Sequence, residues 1–172
     1  MKRIFLILFT GLLMIACNNS QTEEEKPERY TQNSDEINTL KAAISDYEKG
    51  NWDAMKKHYA DTAQIFHNSK QGRNIGYIIQ QHQESLSDLP SYGFIAEDND
   101  FERVTTDDGN TWVNFWGDWK ATLPGSNKEV IVPVHLTAQF KNGKIVREHG
   151  YWDSAIMTMA MQQNDTIQQE EE

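Results

Sequence analysis

Residues 111–152 read TWVNFWGDWK ATLPGSNKEV IVPVHLTAQF KNGKIVREHG YW. Two turn signals divide this stretch into three apolar-rich runs. Pro124-Gly125-Ser126-Asn127 is the first, and Lys141-Asn142-Gly143-Lys144 is the second. Asn-Gly between two apolar runs favours a two-residue hairpin turn, because both central residues must take positive φ. The stretch therefore predicts three consecutive antiparallel strands, at 111–123, 129–140 and 145–152. Side chains alternate along a strand. In the first run Val113, Phe115, Trp119, Ala121 and Leu123 share one face with Gly117, whereas Trp112, Asn114, Trp116, Asp118 and Lys120 take the other. An apolar face of this kind must be covered, so the rest of the domain has to supply a cover.

The cover comes from upstream. Asn33-Ser34-Asp35-Glu36 is a helix start, with capping side chains ahead of an apolar stripe at Ile37, Leu40, Ile44 and Tyr47. Gly50 is a fitting stop. Asn51 caps a second helix that carries Trp52, Met55 and Tyr59 on one face. Residues 62–68 read as a short strand. Ile75, Ile78, Ile79, His82 and Leu86 form a third helical stripe, which Pro90 closes. Residues 94–97 and 101–105 are further strand candidates, with a strong turn at Asp107-Asp108-Gly109-Asn110. Asp153 and Ser154 then start a short helix carrying Met157 and Met161. The order is helix, helix, strand, helix and then a run of antiparallel strands. The expected fold class is α+β, a cone-shaped α+β barrel whose N-terminal helices pack in a strongly curved, mostly antiparallel sheet with a pocket at one end.

This order, with Asn51-Trp52-Asp53-Ala54-Met55 followed by Tyr59-Ala60-Asp61, resembles the SnoaL-like branch of the nuclear transport factor 2-like superfamily. The ending Phe140-Lys141-Asn142-Gly143-Lys144-Ile145-Val146, running on to Tyr151-Trp152-Asp153, is similar to that branch's last hairpin and terminal aspartate. The resemblance spans residues 35–161. It implies the fold closely and the function loosely, since the superfamily holds cyclases, isomerases, dehydratases, hydrolases and non-enzymatic binding modules. SnoaL-like cyclases use an acidic residue as acid/base in an aldol ring closure without a cofactor, so no cofactor is expected.

The register of the last hairpin selects the candidate site. With Asn142 and Gly143 at the tip, Ala138 lies across from Arg147, Leu136 from His149, Val134 from Tyr151 and Val132 from Asp153. That puts His149, Tyr151 and Asp153 on the apolar, helix-covered face. They are the candidate catalytic residues: Asp153 as base, His149 as its partner, Tyr151 as donor to a developing enolate oxygen. A single β-bulge would invert this assignment. Asp153 also stands where a strand hands over to a helix, so capping of backbone N–H groups is an equal alternative. Candidate ligand-binding residues are Tyr59, His67, Phe115, Trp119 and Leu136. On the opposite face Trp112, Trp116 and Trp152 form an aromatic patch, which suggests a homodimer through the outer sheet.

Charge and motif content narrow the partners. The chain has 172 residues with 16 basic against 26 acidic side chains, a formal net charge of -10. Such a balance argues against a nucleic-acid partner, which requires clustered cations. His58, His67, His82, His135 and His149 show no metal-binding spacing, so no metal is expected.

The N-terminus differs from all the rest. Lys2 and Arg3 precede an uncharged, largely apolar run to Ala16, too short to span a bilayer and typical of a signal peptide. Met14-Ile15-Ala16-Cys17 resembles a bacterial lipobox, which implies cleavage before Cys17 and lipidation of its thiol. The expected organisation is a lipoprotein signal peptide at 1–16, a disordered acidic tether at 17–33, the SnoaL-like domain at 34–161 and a disordered acidic tail at 162–172. The expected location is the bacterial cell envelope, lipid-anchored through Cys17 at the outer membrane, on its periplasmic or surface-exposed side. Three functions remain open: a module that binds a small hydrophobic molecule, which is preferred, a cofactor-free acid/base enzyme, and a dimeric interaction module.

Overall fold

The structure, a computed structural model, describes residues 28–171. The expected signal peptide, Cys17 and most of the expected tether lie outside the described residues. Among the described residues no helix is long and apolar enough to cross a membrane.

Eleven elements follow in chain order: β1 (Tyr30–Thr31), α1 (Asp35–Glu48), α2 (Trp52–Lys56), β2 (Tyr59–His67), α3 (Ile75–Leu86), β3 (Ser91–Phe94), β4 (Asp100–Thr105), β5 (Thr111–Thr122), β6 (Glu129–Lys141), β7 (Lys144–Trp152) and α4 (Ser154–Glu171). One short 3-10 turn, Ala96–Asp98, joins β3 to β4. The strands make one curved sheet in the order β1-β4-β5-β6-β7-β2, with β3 also paired to β5. All neighbours are antiparallel except β2 and β7, which run parallel. The sheet does not close, since β1 and β2 are its free edges.

Helices α1 and α3 open on side-chain caps, whereas Asn51, expected to cap α2, makes no side-chain cap bond. The Ser34 hydroxyl accepts from the Ile37 amide at 3.2 Å and opens α1. The Asn74 side chain accepts from the Tyr77 amide at 2.9 Å and opens α3. Each satisfies an amide that the first helical turn leaves unpaired. Ile37, Leu40, Ala43 and Ile44 of α1, with Ile75 and Ile78 of α3, are buried against Val113, Phe115, Ala138 and Ile145 of the sheet. The apolar face of β5 is thus covered as its alternation requires.

Four other local expectations need correction. The second helix ends at Lys56, and Tyr59 begins β2 instead, because its main chain pairs with Ile145 across the parallel strand. The strand expected at 94–97 lies earlier, at Ser91–Phe94. Tyr30–Thr31, expected in the tether, pair with Val104 and Arg103 at the edge of the sheet. The terminal helix runs on through the expected tail to Glu171. Its Ile156, Met157, Ala160 and Met161 pack on a second apolar cluster of Ala121, Leu123, Val130 and Val132. Asn164, only 2% exposed, fastens it by donating to the Pro124 carbonyl at 2.8 Å.

A further correction decides the site. Lys141 pairs with Lys144 and Phe140 with Ile145, as the turn dictates. The register then shifts by one residue, and Gln139 pairs with Arg147. Val146 is the extra residue of a β-bulge. Beyond it Ala138 faces Glu148, Leu136 faces Gly150 and Val134 faces Trp152. One inserted residue moves every later side chain to the opposite face. Glu148, Gly150 and Trp152 therefore turn inward, and His149 and Tyr151 turn outward.

Candidate active site

A cavity of about 410 Å³ lies between α1, α3 and the inner face of the sheet, with α4 across one side. Leu40 and Ile44 from α1, Leu86 from α3, Val132, Val134 and Leu136 from β6, and Met157 from α4 give it an apolar wall. Five larger polar side chains interrupt that wall: Tyr47, Tyr59, His67, His82 and Glu148.

Glu148 is the centre of this group. It is 3% exposed, yet both carboxylate oxygens are engaged. Oε1 is 2.8 Å from His67 Nε2, and Oε2 accepts from the Tyr59 hydroxyl at 2.7 Å. Burial works to raise its pKa, but the hydrogen bond and electrostatic attraction of His67, the hydrogen bond of Tyr59 and the attraction of His82 in its protonated form hold it below the ordinary carboxylate value. Glu148 is thus ionised at neutral pH and can only accept hydrogen bonds. His67 Nε2 must therefore carry the proton of that contact. Its Nδ1 has no hydrogen-bond partner among the described residues. A buried carboxylate that fixes an imidazole tautomer and leaves the far nitrogen open is the arrangement a general base requires. Tyr59 is pushed well above its ordinary value by burial and by the adjacent Glu148 charge, so it stays a neutral donor.

His82 stands beside this dyad, its ring 5.9 Å from that of His67, 5.0 Å from Tyr47 and 6.3 Å from Trp52. Burial, and then the neighbouring His67, push its pKa down to about 4, against a weaker pull from Glu148. It is neutral at pH 7. Tyr47 completes the row. Its oxygen accepts from Trp119 Nε1 at 3.0 Å. Its own proton meets no acceptor among the described residues. Burial holds this phenol above its ordinary value, though the Trp119 bond works the other way. The cavity wall therefore holds an imidazole with one nitrogen unbonded, and a hydroxyl whose proton meets no acceptor, among the described residues.

Of the ligand-binding candidates, Tyr59, His67, Trp119 and Leu136 line the cavity. Phe115 does not: it is fully buried behind the wall, packed on Phe94 and Phe101 at 5.0 and 4.8 Å. The three catalytic candidates are displaced by the bulge. His149 and Tyr151 lie on the outer face, with Tyr151 51% exposed. Asp153 is exposed, and its Oδ1 accepts from the Ala155 amide at 2.9 Å, so it caps α4. Trp152, assigned to the outer patch, lines the cavity with its ring 5.2 Å from His67. Glu148 was missed because unbroken alternation sends it outward. The available signal was Gly150, the only small residue of the last strand, which leaves room for the His67 ring: a Cβ there would lie 2.8 Å from His67 Cδ2. Among the described residues no group of three His, Cys, Asp or Glu side chains is placed to hold a metal.

The sequence matches no family model and no curated protein. Solved structures do match. A protein from Acidithiobacillus ferrooxidans classed as a polyketide cyclase has TM-score 0.61 at 14% identity, over 77% of this chain and 98% of its own. One from Streptomyces antibioticus, classed likewise, has TM-score 0.60 at 14% identity, over 72% and 96%. TerC, co-crystallised with polyporic acid, has TM-score 0.59 at 11% identity, over 75% and 99%. The chain therefore shares the fold of these solved structures, which include proteins described as SnoaL-like polyketide cyclases.

Proposed function

We propose that this domain binds a small, largely apolar carbonyl compound and moves a proton on it without a cofactor. The reading rests on one observation: an ionised Glu148 held between Tyr59 and His67 in the wall of an apolar cavity. Burying a carboxylate costs several kcal/mol even when it is paired, and packing alone would be served by an apolar residue. In the proposed step His67 Nδ1 takes a proton from the carbon beside the carbonyl. The electron pair of that C–H bond moves onto the carbonyl oxygen, which Tyr47 meets with its hydroxyl proton. Glu148 holds the Nε2–H tautomer and stabilises the imidazolium that forms. The enolate carbon then attacks a second carbonyl of the same molecule, whose π pair moves onto its oxygen and takes the proton back from the His67 imidazolium, or the imidazolium returns its proton to the enolate directly. The cavity volume suits such a ligand, since small-molecule sites run from about 300 to 1,000 Å³.

The test is hydrogen–deuterium exchange at the position next to the carbonyl of a small aromatic ketone, followed by NMR in D2O. Exchange should fall by about 10²–10⁴ in His67→Gln, while binding of a fluorescent hydrophobic probe persists. Retained binding with no exchange in the parent protein would leave a binding module and remove the proton transfer.

The location is a separate proposal. Lys2-Arg3, the uncharged run to Ala16 and the only cysteine directly after it support a lipid-anchored envelope protein. Mass spectrometry of the mature N-terminus should find an acylated Cys17, and Cys17→Ser should release the protein from the membrane fraction.

A further inference from the structure

The bulge leaves a row of aromatic rings on the outer face. Trp116, His135 and Tyr151 stand side by side across β5, β6 and β7. Their ring centroids are 4.9 and 6.4 Å apart, with planes within 28° and 12° of parallel. Trp116 is 43% exposed and Tyr151 51%. These rings line a shallow groove of about 500 Å³ whose other lining includes Glu97, Asp98, Asp100 and Asp118. Asp100 pairs in register with Trp116 itself. Among the described residues none of the four carboxylates has a basic partner or a side-chain hydrogen bond. Lys120, on the same face, is engaged by Glu129 at 3.0 Å.

We propose that this groove docks an arginine-bearing segment of a partner polypeptide. Four uncompensated carboxylates beside stacked aromatic faces complement a guanidinium, which is planar, always charged and suited both to a ring face and to a carboxylate. The same face already holds one such contact at its far end, where Arg147 lies 5.5 Å over the Phe66 ring. A second copy of the chain is a poor occupant. A two-fold contact would set this acidic groove against itself, and like charges brought together cost binding energy. The two exposed rings supply the apolar contact area that interface hot spots use.

The test is fluorescence anisotropy with a labelled octapeptide of alternating arginine and glycine, titrated with the full-length protein. Trp116→Ala leaves the charge unchanged and should weaken binding about tenfold. Asp100→Asn with Asp118→Asn should do the same. Asp53→Asn with Asp61→Asn removes equal charge from exposed sites elsewhere and should change binding by less than about twofold. The matched lysine peptide should bind more weakly than the arginine one. Equal losses in the two aspartate pairs, or an indifferent Trp116→Ala, would reduce the attraction to net charge and overturn the proposal. So would sedimentation showing a dimer that Trp116→Ala dissociates, since the occupant would then be a second copy.

Discussion

Lowering the pH from 7 to 5 should destabilise this protein chiefly through His82. Its pKa is about 4 in the folded chain, against the ordinary imidazole value of 6.5 that holds once the chain unfolds. Between those values the unfolded state binds the proton and the folded state does not, so stability falls as the pH falls. The full difference corresponds to about 3 kcal/mol, and about 2 kcal/mol of it should already be lost at pH 5. That window separates His82 from Glu148. The folded carboxylate is held below its ordinary value, so its contribution is present at pH 5 and disappears only as the pH drops through that lower value. His149, also shifted down, titrates in the same sense, by burial and then by the Arg147 charge. A comparison with His82→Phe cancels it. Phenylalanine keeps an aromatic ring against Tyr47 and Trp52 and removes the titration. Urea unfolding at pH 7 and pH 5 should therefore give a pH-dependent loss about 2 kcal/mol larger in the parent than in the variant. Equal losses in both, or an imidazole C–H of His82 titrating near pH 6.5 by NMR, would refute the reasoning.

Other substitutions probe the same site. Glu148→Gln keeps the shape but removes the negative charge that stabilises the imidazolium; ketone exchange should fall by up to about 10⁴, as in the analogous change in serine proteases, and ¹⁵N shifts of the ring should report the tautomer that results. Urea unfolding of the same variant should show a loss of about 1–3 kcal/mol. Gly150→Ala places a Cβ 2.8 Å from His67 Cδ2, 3.0 Å from Trp152 Cζ3 and 3.1 Å from Leu136 Cδ2; it should cost about 1–3 kcal/mol in denaturant unfolding and displace the imidazole from Glu148, with exchange lost in parallel. Asp153→Ala removes only a helix cap, so unfolding should register about 1 kcal/mol and exchange should stay at the parent level; a hundredfold loss of exchange would return Asp153 to the catalytic set.

Much of the architecture was legible residue by residue because its causes are local. Ser34 caps the helix it precedes, Asn142-Gly143 makes the hairpin tip, and alternation along residues 111–123 sorts the two faces of β5. The cavity candidates Trp119 and Leu136 followed from the same alternation, whereas Tyr59 was expected on a helix face and Phe115 proved to be core, since inward-facing side chains divide between core and cavity according to depth. His82 and Tyr47 were readable only as members of apolar stripes: helical spacing places a side chain on a face but does not say what stands opposite.

What tertiary structure alone decided was the register of the last strand. The turn fixes the pairing of Phe140 with Ile145, and directly after it Val146 is accommodated as a bulge. No local signal in Ile145-Val146-Arg147-Glu148 requires that extra residue. It is set by the partners the strand must satisfy on both sides, with β6 antiparallel on one flank and β2 parallel on the other, where the register is also irregular between Tyr59 and Gln64. The outcome exchanges a solvent-facing Glu148 for one enclosed by Tyr59 and His67, and turns His149 and Tyr151 from a catalytic pair into part of an exposed aromatic face. Side-chain facing in a strand has period two, so a one-residue change in pairing reassigns every residue beyond it. The sequence by itself determined the fold, the acidic charge balance and the presence of a chamber; the packing of three strands determined which acid enters it.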